Sequence, residues 1–183
     1  MPASKIMLIR HAEKPDNNTT GVLTEGHHDE HSLSVLGWQR AGALAVWLGP
    51  QHAHARDPKL ASPHFLYAAK FHEGHQSKRC YQTLVPLAEK LGLEINIDFK
   101  NEDHVEMVAH ARARHGVVLI SWHHEAIPKV TRHILDSKSA HPQDWPDERF
   151  DVVWVFDADA SGGYALSQVP TMLLAGDKAT PIK

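Results

Sequence analysis

Apolar positions along this chain recur in two rhythms that alternate. Residues 6–9 (IMLI) are a continuous apolar run, which predicts a short strand buried on both faces. Residues 65–69 (FLYAA) and 117–121 (VVLIS) repeat that signal. Between the runs the spacing lengthens to a helical period. Residues 33–49 (LSVLGWQRAGALAVWLG) predict a helix with Leu36, Ala43, Leu44 and Trp47 on one face, ended by Gly49 and Pro50. Residues 77–92 (SKRCYQTLVPLAEKLG) predict a second helix, with Pro86 marking a kink or a new start. Residues 105–116, closing on Gly116, and 125–135 predict two more. The chain then returns to strand character: 150–159 and 162–170 read as a hairpin joined by Ser161, Gly162 and Gly163.

Strands separated by helices at this spacing predict an α/β fold, with a mostly parallel sheet covered on both sides and the last hairpin as an antiparallel edge. There are no repeats and no linker-like stretch, so residues 1–183 are expected to form a single domain. Composition narrows the class without naming it. A net charge of −3 and the absence of a basic cluster exclude nucleic acid as an expected partner. No apolar run approaches the length of a membrane span, the first residues lack a signal-peptide core, and the single cysteine, Cys80, has no internal partner. These features together predict a cytoplasmic protein.

The chemistry-bearing residues follow the strands. Arg10 and His11 come after the first, Arg79 opens the helix after the second, and His123 and His124 come after the third. In a right-handed α/β fold such strand ends share one rim of the sheet, which is where ligands bind. Two arginines and two histidines on one rim suit a phosphoryl group. A neutral imidazole attacks phosphorus through one ring nitrogen when the other donates its proton to a fixed acceptor. Arginine presents planar paired donors to phosphate oxygens, and a protonated second histidine adds another as charge spreads in the transition state. That chemistry requires no metal and no cofactor.

The same segments carry a family resemblance. RHAEKP resembles the Arg-His-Gly or Arg-His-Ala signature of the histidine phosphatase superfamily, which includes phosphoglycerate mutases and many phosphatases. LSVLGWQRAGALA, KRCYQTLVPLAEKLGLEI and VVLISWHHEAIPKV are similar to three further family segments, in the family order, across residues 6–130. The resemblance implies a three-layer α/β/α sandwich and a metal-independent phosphomonoester hydrolase acting on a small-molecule or protein phosphate substrate. It implies that His11 is the nucleophile and that Arg10, Arg79 and His124 form the phosphate pocket. The pattern Trp-x-His followed by Ile-Pro aligns His124 with the second histidine and leaves His123 as its neighbour. Members place a general acid either directly after that histidine, here Glu125, or in the loop after the Arg-x-x-Gln-Thr helix, here Glu102 or Asp103; Glu125 has the shorter tether. Two other readings stand beside hydrolysis: a phosphoglycerate mutase-type phosphotransferase, and a non-catalytic phosphate-binding domain.

The chain departs from the family in residues 67–76 (YAAKFHEGHQ), a polar stretch where members often have a Ser-Pro turn. Specificity is expected from this region, 68–77, and from the loop at 14–33. Within the latter, His27, His28, Asp29, Glu30 and His31 are all potential metal ligands, but the segment lacks helical periodicity and a solvated loop is its expected state. Gln82 and Thr83 read as helix-packing residues, and Cys80 as a small buried hydrophobe.

Overall fold

The apolar runs do become the centre of a sheet. In the computed structural model, which describes residues 2–50, 57–71, 77–135 and 141–183, ten elements follow one another. They are β1 (Ala3–Arg10), α1 (Val35–Leu48), β2 (Phe65–Ala68), α2 (Arg79–Leu91), β3 (Ile95–Asn96), α3 (His104–Arg112), β4 (Gly116–Trp122), α4 (Ile127–Ile134), β5 (Val152–Ala158) and β6 (Tyr164–Pro170). The sheet order is β3-β2-β4-β1-β5-β6. The β1–β4, β2–β4 and β2–β3 pairs are parallel, whereas β5 runs antiparallel to both β1 and β6.

Handedness then assigns the helices to faces. The chain moves one way across the sheet through α1 and α2 and the other way through α3, so right-handed crossovers put the first two opposite the third. In agreement, α1 packs on α2 and α3 packs on α4. Ile6, Met7, Leu8, Val118, Leu119 and Ile120 are fully buried between these layers. Each large aliphatic side chain so covered stabilises the fold by about 2 kcal/mol relative to exposure. Among the described residues no helix is long and apolar enough to cross a membrane.

Several elements differ from the pattern-based expectation. In α1 the buried face is Gly37, Arg40, Ala41, Leu44, Ala45 and Leu48, while Leu36 is 47% exposed. The helix is rotated because Arg40 is drawn inward by ion pairs and because Gly37 lies against the loop after β1, where an added Cβ would stand 2.4 Å from the Glu13 carbonyl oxygen. Helix α2 runs through Pro86 without interruption; the ring sits on a half-exposed face, and only the Gln82 carbonyl loses its helical partner. Helix α3 stops at Arg112, short of Gly116, whose φ of +90° turns the chain into β4. The two-residue β3 has too few residues to show a periodicity. The β5–β6 turn is tied by Asp159, whose carboxylate accepts from the Ser161 and Gly163 amides.

Candidate active site

Because β1, β2 and β4 are parallel neighbours, their C-terminal ends lie on one rim. Arg10 is in register with Trp122, and the His11 amide donates to the Trp122 carbonyl at 3.1 Å, so the residues following β1 and β4 are held side by side. Arg79 reaches the same rim as the first residue of α2.

His11 is 2% exposed, and its Nδ1 lies 2.7 Å from the Ala12 carbonyl oxygen. An acceptor at that position requires a proton on Nδ1, which leaves the Nε2 lone pair free for attack. Burial pushes the His11 pKa well below the usual histidine value, and the nearby Arg10, His123 and Arg79 push it the same way, so the ring is neutral at physiological pH. The loop carrying it is fastened from below. The Ala12 amide donates to Thr83 Oγ1 at 2.8 Å, and Thr83 in turn donates to the Arg79 carbonyl at 2.7 Å. Gln82 accepts from the Leu33 amide and donates to Ser32 Oγ, both at 2.9 Å. Gln82 and Thr83 are thus more than packing residues: they tie α2 to two loops of the rim.

The two arginines differ in their surroundings. Arg79 donates through Nε to the Ser32 carbonyl at 3.2 Å and through Nη2 to the Glu30 carbonyl at 2.8 Å. Arg10 donates to Asp147 Oδ1 at 2.8 Å and to the Asp147 carbonyl, while its guanidinium carbon lies 4.0 Å above the Phe150 ring. Its Nε is buried without a hydrogen-bond partner. Burial lowers the pKa of both arginines below the ordinary value, the sign of cations desolvated more than they are paired.

The two adjacent histidines differ in their surroundings. The His123 ring packs edge-on to His11 with centroids 5.7 Å apart, and its pKa is lowered by burial and by Arg79, His124 and Arg10 against the opposing charge of Glu125. His124 turns outward, with Nε2 3.4 Å from Asp147 Oδ1 and Nδ1 3.1 Å from Glu125 Oε2 at an angle that makes no hydrogen bond. The difference has a backbone cause: past β4 the chain enters a turn at once, so strand alternation no longer sets which way the two side chains face. Glu125 is close enough for its charge to act on Arg10, His123 and His124. Asp103 instead accepts from the Lys100 amide at 3.0 Å, and neither it nor Glu102 bonds to a pocket residue among the described residues.

Asp147 and Phe150 were not legible as site residues. They lie in the segment before β5, outside the motif segments, and reach the rim only because β5 is antiparallel to β1. A hydrogen bond from Lys14, with Arg10 beside it, holds the Asp147 carboxyl down at about 2. The histidine-rich loop folds on itself through backbone pairing of Val22 with His28 and of Gly21 with Ser34. Asp29 accepts from Ser32 Oγ at 2.7 Å and from Lys78 Nζ at 3.0 Å. Among the described residues no three His, Cys, Asp or Glu side chains gather as a metal site. Cys80 is buried, and burial pushes its thiol up to about 12. Of the 68–77 stretch, residues 72–76 lie outside the described residues.

No protein-family model and no curated protein matches this sequence. Solved structures do match its fold. A mycobacterial glucosyl-3-phosphoglycerate phosphatase superposes with a TM-score of 0.53 at 15% identity, covering 90% of this chain and 97% of that one. A phosphoglycerate mutase from Plasmodium falciparum gives 0.52 at 11% identity over 97% and 98% of the two chains. The fold is shared with these two proteins. An ecdysone phosphate phosphatase from Bombix mori, in complex with tungstate, agrees with a TM-score of 0.51 at 11% identity over 98% and 97%. On this fold, Arg10, His11, Arg79 and His123 all stand at the C-terminal rim of the parallel strands.

Proposed function

We propose that this protein is a metal-independent phosphomonoester hydrolase that works through a phosphohistidine on His11. The observation that carries the reading is the buried His11, its Nδ1 committed to the Ala12 carbonyl and its ring among two arginines and a second histidine. A phosphate dianion supplies the charge that Arg10 and Arg79 lack, and the unpartnered Arg10 Nε is a donor for one of its oxygens. The same dianion opposes the burial and the nearby cations that lower His123, so that His123 binds a proton and donates to a second oxygen.

His11 Nε2 forms a bond to phosphorus as the ester P–O bond breaks, and Glu125 gives its proton to the departing alkoxide. Water then attacks the phosphohistidine, the P–N bond breaks, inorganic phosphate leaves and Glu125 recovers a proton from that water. In this scheme His123 takes the role that the sequence pattern gives to His124, and His124 lies beside Glu125 and Asp147 at the edge. The support for Glu125 is its placement directly after the two histidines, within reach of His124.

The test is to mix the protein with p-nitrophenyl phosphate, with and without chelator, quench in alkali and map the phosphoryl group. A label on His11 that forms with chelator present and decays in water is the expected result. Turnover that stops with chelator, or a label on another residue, would overturn the mechanism. Transfer of the label to a phosphoglycerate faster than to water would replace hydrolysis with the mutase reading.

A further inference from the structure

Beside the nucleophile lies a second feature that the phosphoryl chemistry does not use. A cleft of about 610 Å³ is bounded by the loop 13–19, the start of α1, residues 147–151 and the loop 174–178. It adjoins the phosphate site, with Phe150 and Asp147 as the wall between them. The Phe150 ring lines the cleft and lies 6.2 Å from the His11 ring, while Asp147 lines the cleft and binds Arg10.

The walls are built rather than incidental. At the base, Arg40 donates to Glu13 at 2.8 Å and to Asp177 at 2.7 Å. Asp177 also accepts from the Leu173 and Leu174 amides at 2.7 and 3.1 Å, which fixes the far loop against the one that carries His11. Two properties of the surface bear on what fits. Leu36 is 47% exposed and, with Phe150 and Leu174, presents apolar surface to the cleft. The charge is also one-sided: six carboxylates line it against Lys14, Arg40 and Lys178. From behind the wall Arg149 pairs with Asp151 at 2.6 Å and Arg10 with Asp147 at 2.8 Å, which leaves an excess of one negative charge. The cations within the cleft are engaged as well, Lys14 with Asp147 at 3.1 Å and Lys178 with Glu148 at 3.7 Å.

We propose that this cleft receives the leaving group of the substrate and selects an alcohol with apolar surface and no second negative charge. The inference rests on the hydrolase reading above and narrows its substrate class. An apolar leaving group covers Leu36, Phe150 and Leu174, whereas a leaving group bearing a carboxylate or further phosphate meets uncompensated negative charge and finds no free cation in the cleft. Sugar acids and polyphosphorylated nucleosides are thereby disfavoured relative to aryl-alkyl or amino alcohols.

The experiment compares kcat/KM for benzyl phosphate and 3-phosphoglycerate, in the parent protein and in Glu148→Lys and Leu36→Asp. Both residues line the cleft and neither touches the phosphate-site side chains described above, so turnover of methyl phosphate, whose leaving group is too small to fill the cleft, checks that the chemistry is intact. In the parent, benzyl phosphate is expected to be preferred by at least about tenfold. Glu148→Lys should shrink that preference by raising the phosphoglycerate value. Leu36→Asp should lower the benzyl phosphate value by about tenfold through lost apolar contact and an added charge. Equal values for the two esters in the parent, or a ratio unmoved in both variants, overturns the cleft assignment while leaving the hydrolase intact. No turnover of any ester overturns both.

Discussion

Arg10 and Arg40 are buried to nearly the same degree, 2% and 4% exposed, and sit on either side of the loop that carries His11. Their electrostatic situations are opposite. Arg40 is enclosed by Glu13 and Asp177, whose side chains are only 12% and 3% exposed, and these partners raise its pKa above the ordinary value despite burial. Arg10 has one carboxylate, Asp147, which is 61% exposed, and it keeps an unpartnered Nε and a lowered pKa. The comparison teaches that burial alone does not identify a functional cation. A buried arginine whose counter-charges are buried with it is part of the scaffold, and one whose counter-charge is left in water is poised for an anion.

The largest effect should come from the neutral nucleophile beside Arg10. His11→Ala is expected to lower kcat by at least about 10⁴-fold, with the circular dichroism spectrum retained. Wild-type turnover in that variant would show that the unpaired side of the comparison is not where the chemistry occurs.

The arginines themselves should then separate into stability and rate. Arg40→Met leaves Glu13 and Asp177 buried without a cation and should cost about 3–5 kcal/mol in urea unfolding. Arg10→Met frees a carboxylate that already faces solvent, so it should cost about 1 kcal/mol or less in stability but about 10²–10³-fold in kcat. If the two substitutions cost equal stability, the contrast drawn from burial of the partners is wrong.

Smaller effects sharpen the boundary of the site. His123→Ala should reduce kcat by about a hundredfold and His124→Ala by less than about tenfold, measured on an alkyl phosphate. The reverse order would restore the register suggested by the sequence pattern.

The last effect is a pH dependence on the paired side. Burial opposes ionisation of Asp177, yet the hydrogen bonds from Arg40 and from backbone amides hold its carboxyl at about 2, against 3.8 for the free group. A folded-state pKa below the unfolded one contributes stability that is complete above about 3.8 and disappears as the pH falls towards 2. It is worth about 2 kcal/mol. Urea midpoints of the parent and Asp177→Asn should therefore converge between pH 4 and pH 2. Parallel curves over that range would mean that Asp177 titrates normally.

How far this protein could be read in advance depended on whether the information was local. The runs 6–9, 65–69 and 117–121 are strands because continuous apolar residues have no other place than a sheet covered on both faces, and the class of fold and the rim position of Arg10, His11 and Arg79 follow from that. Tertiary structure decided what pairs across distance. Arg40 meets Glu13 and Asp177 from 27 and 137 positions away, a pairing that no local pattern marks. Asp147 and Phe150 reach the site by way of an antiparallel strand that no motif marks. The choice between His123 and His124 turned on a single residue of backbone direction after β4, which periodicity cannot resolve once the strand has ended. Sequence alone determined where the apolar surface of the three central strands goes, because a continuous apolar run is buried on whichever face it presents. Which charges are left unpaired is a property of the assembled partners, and only the folded chain contains it.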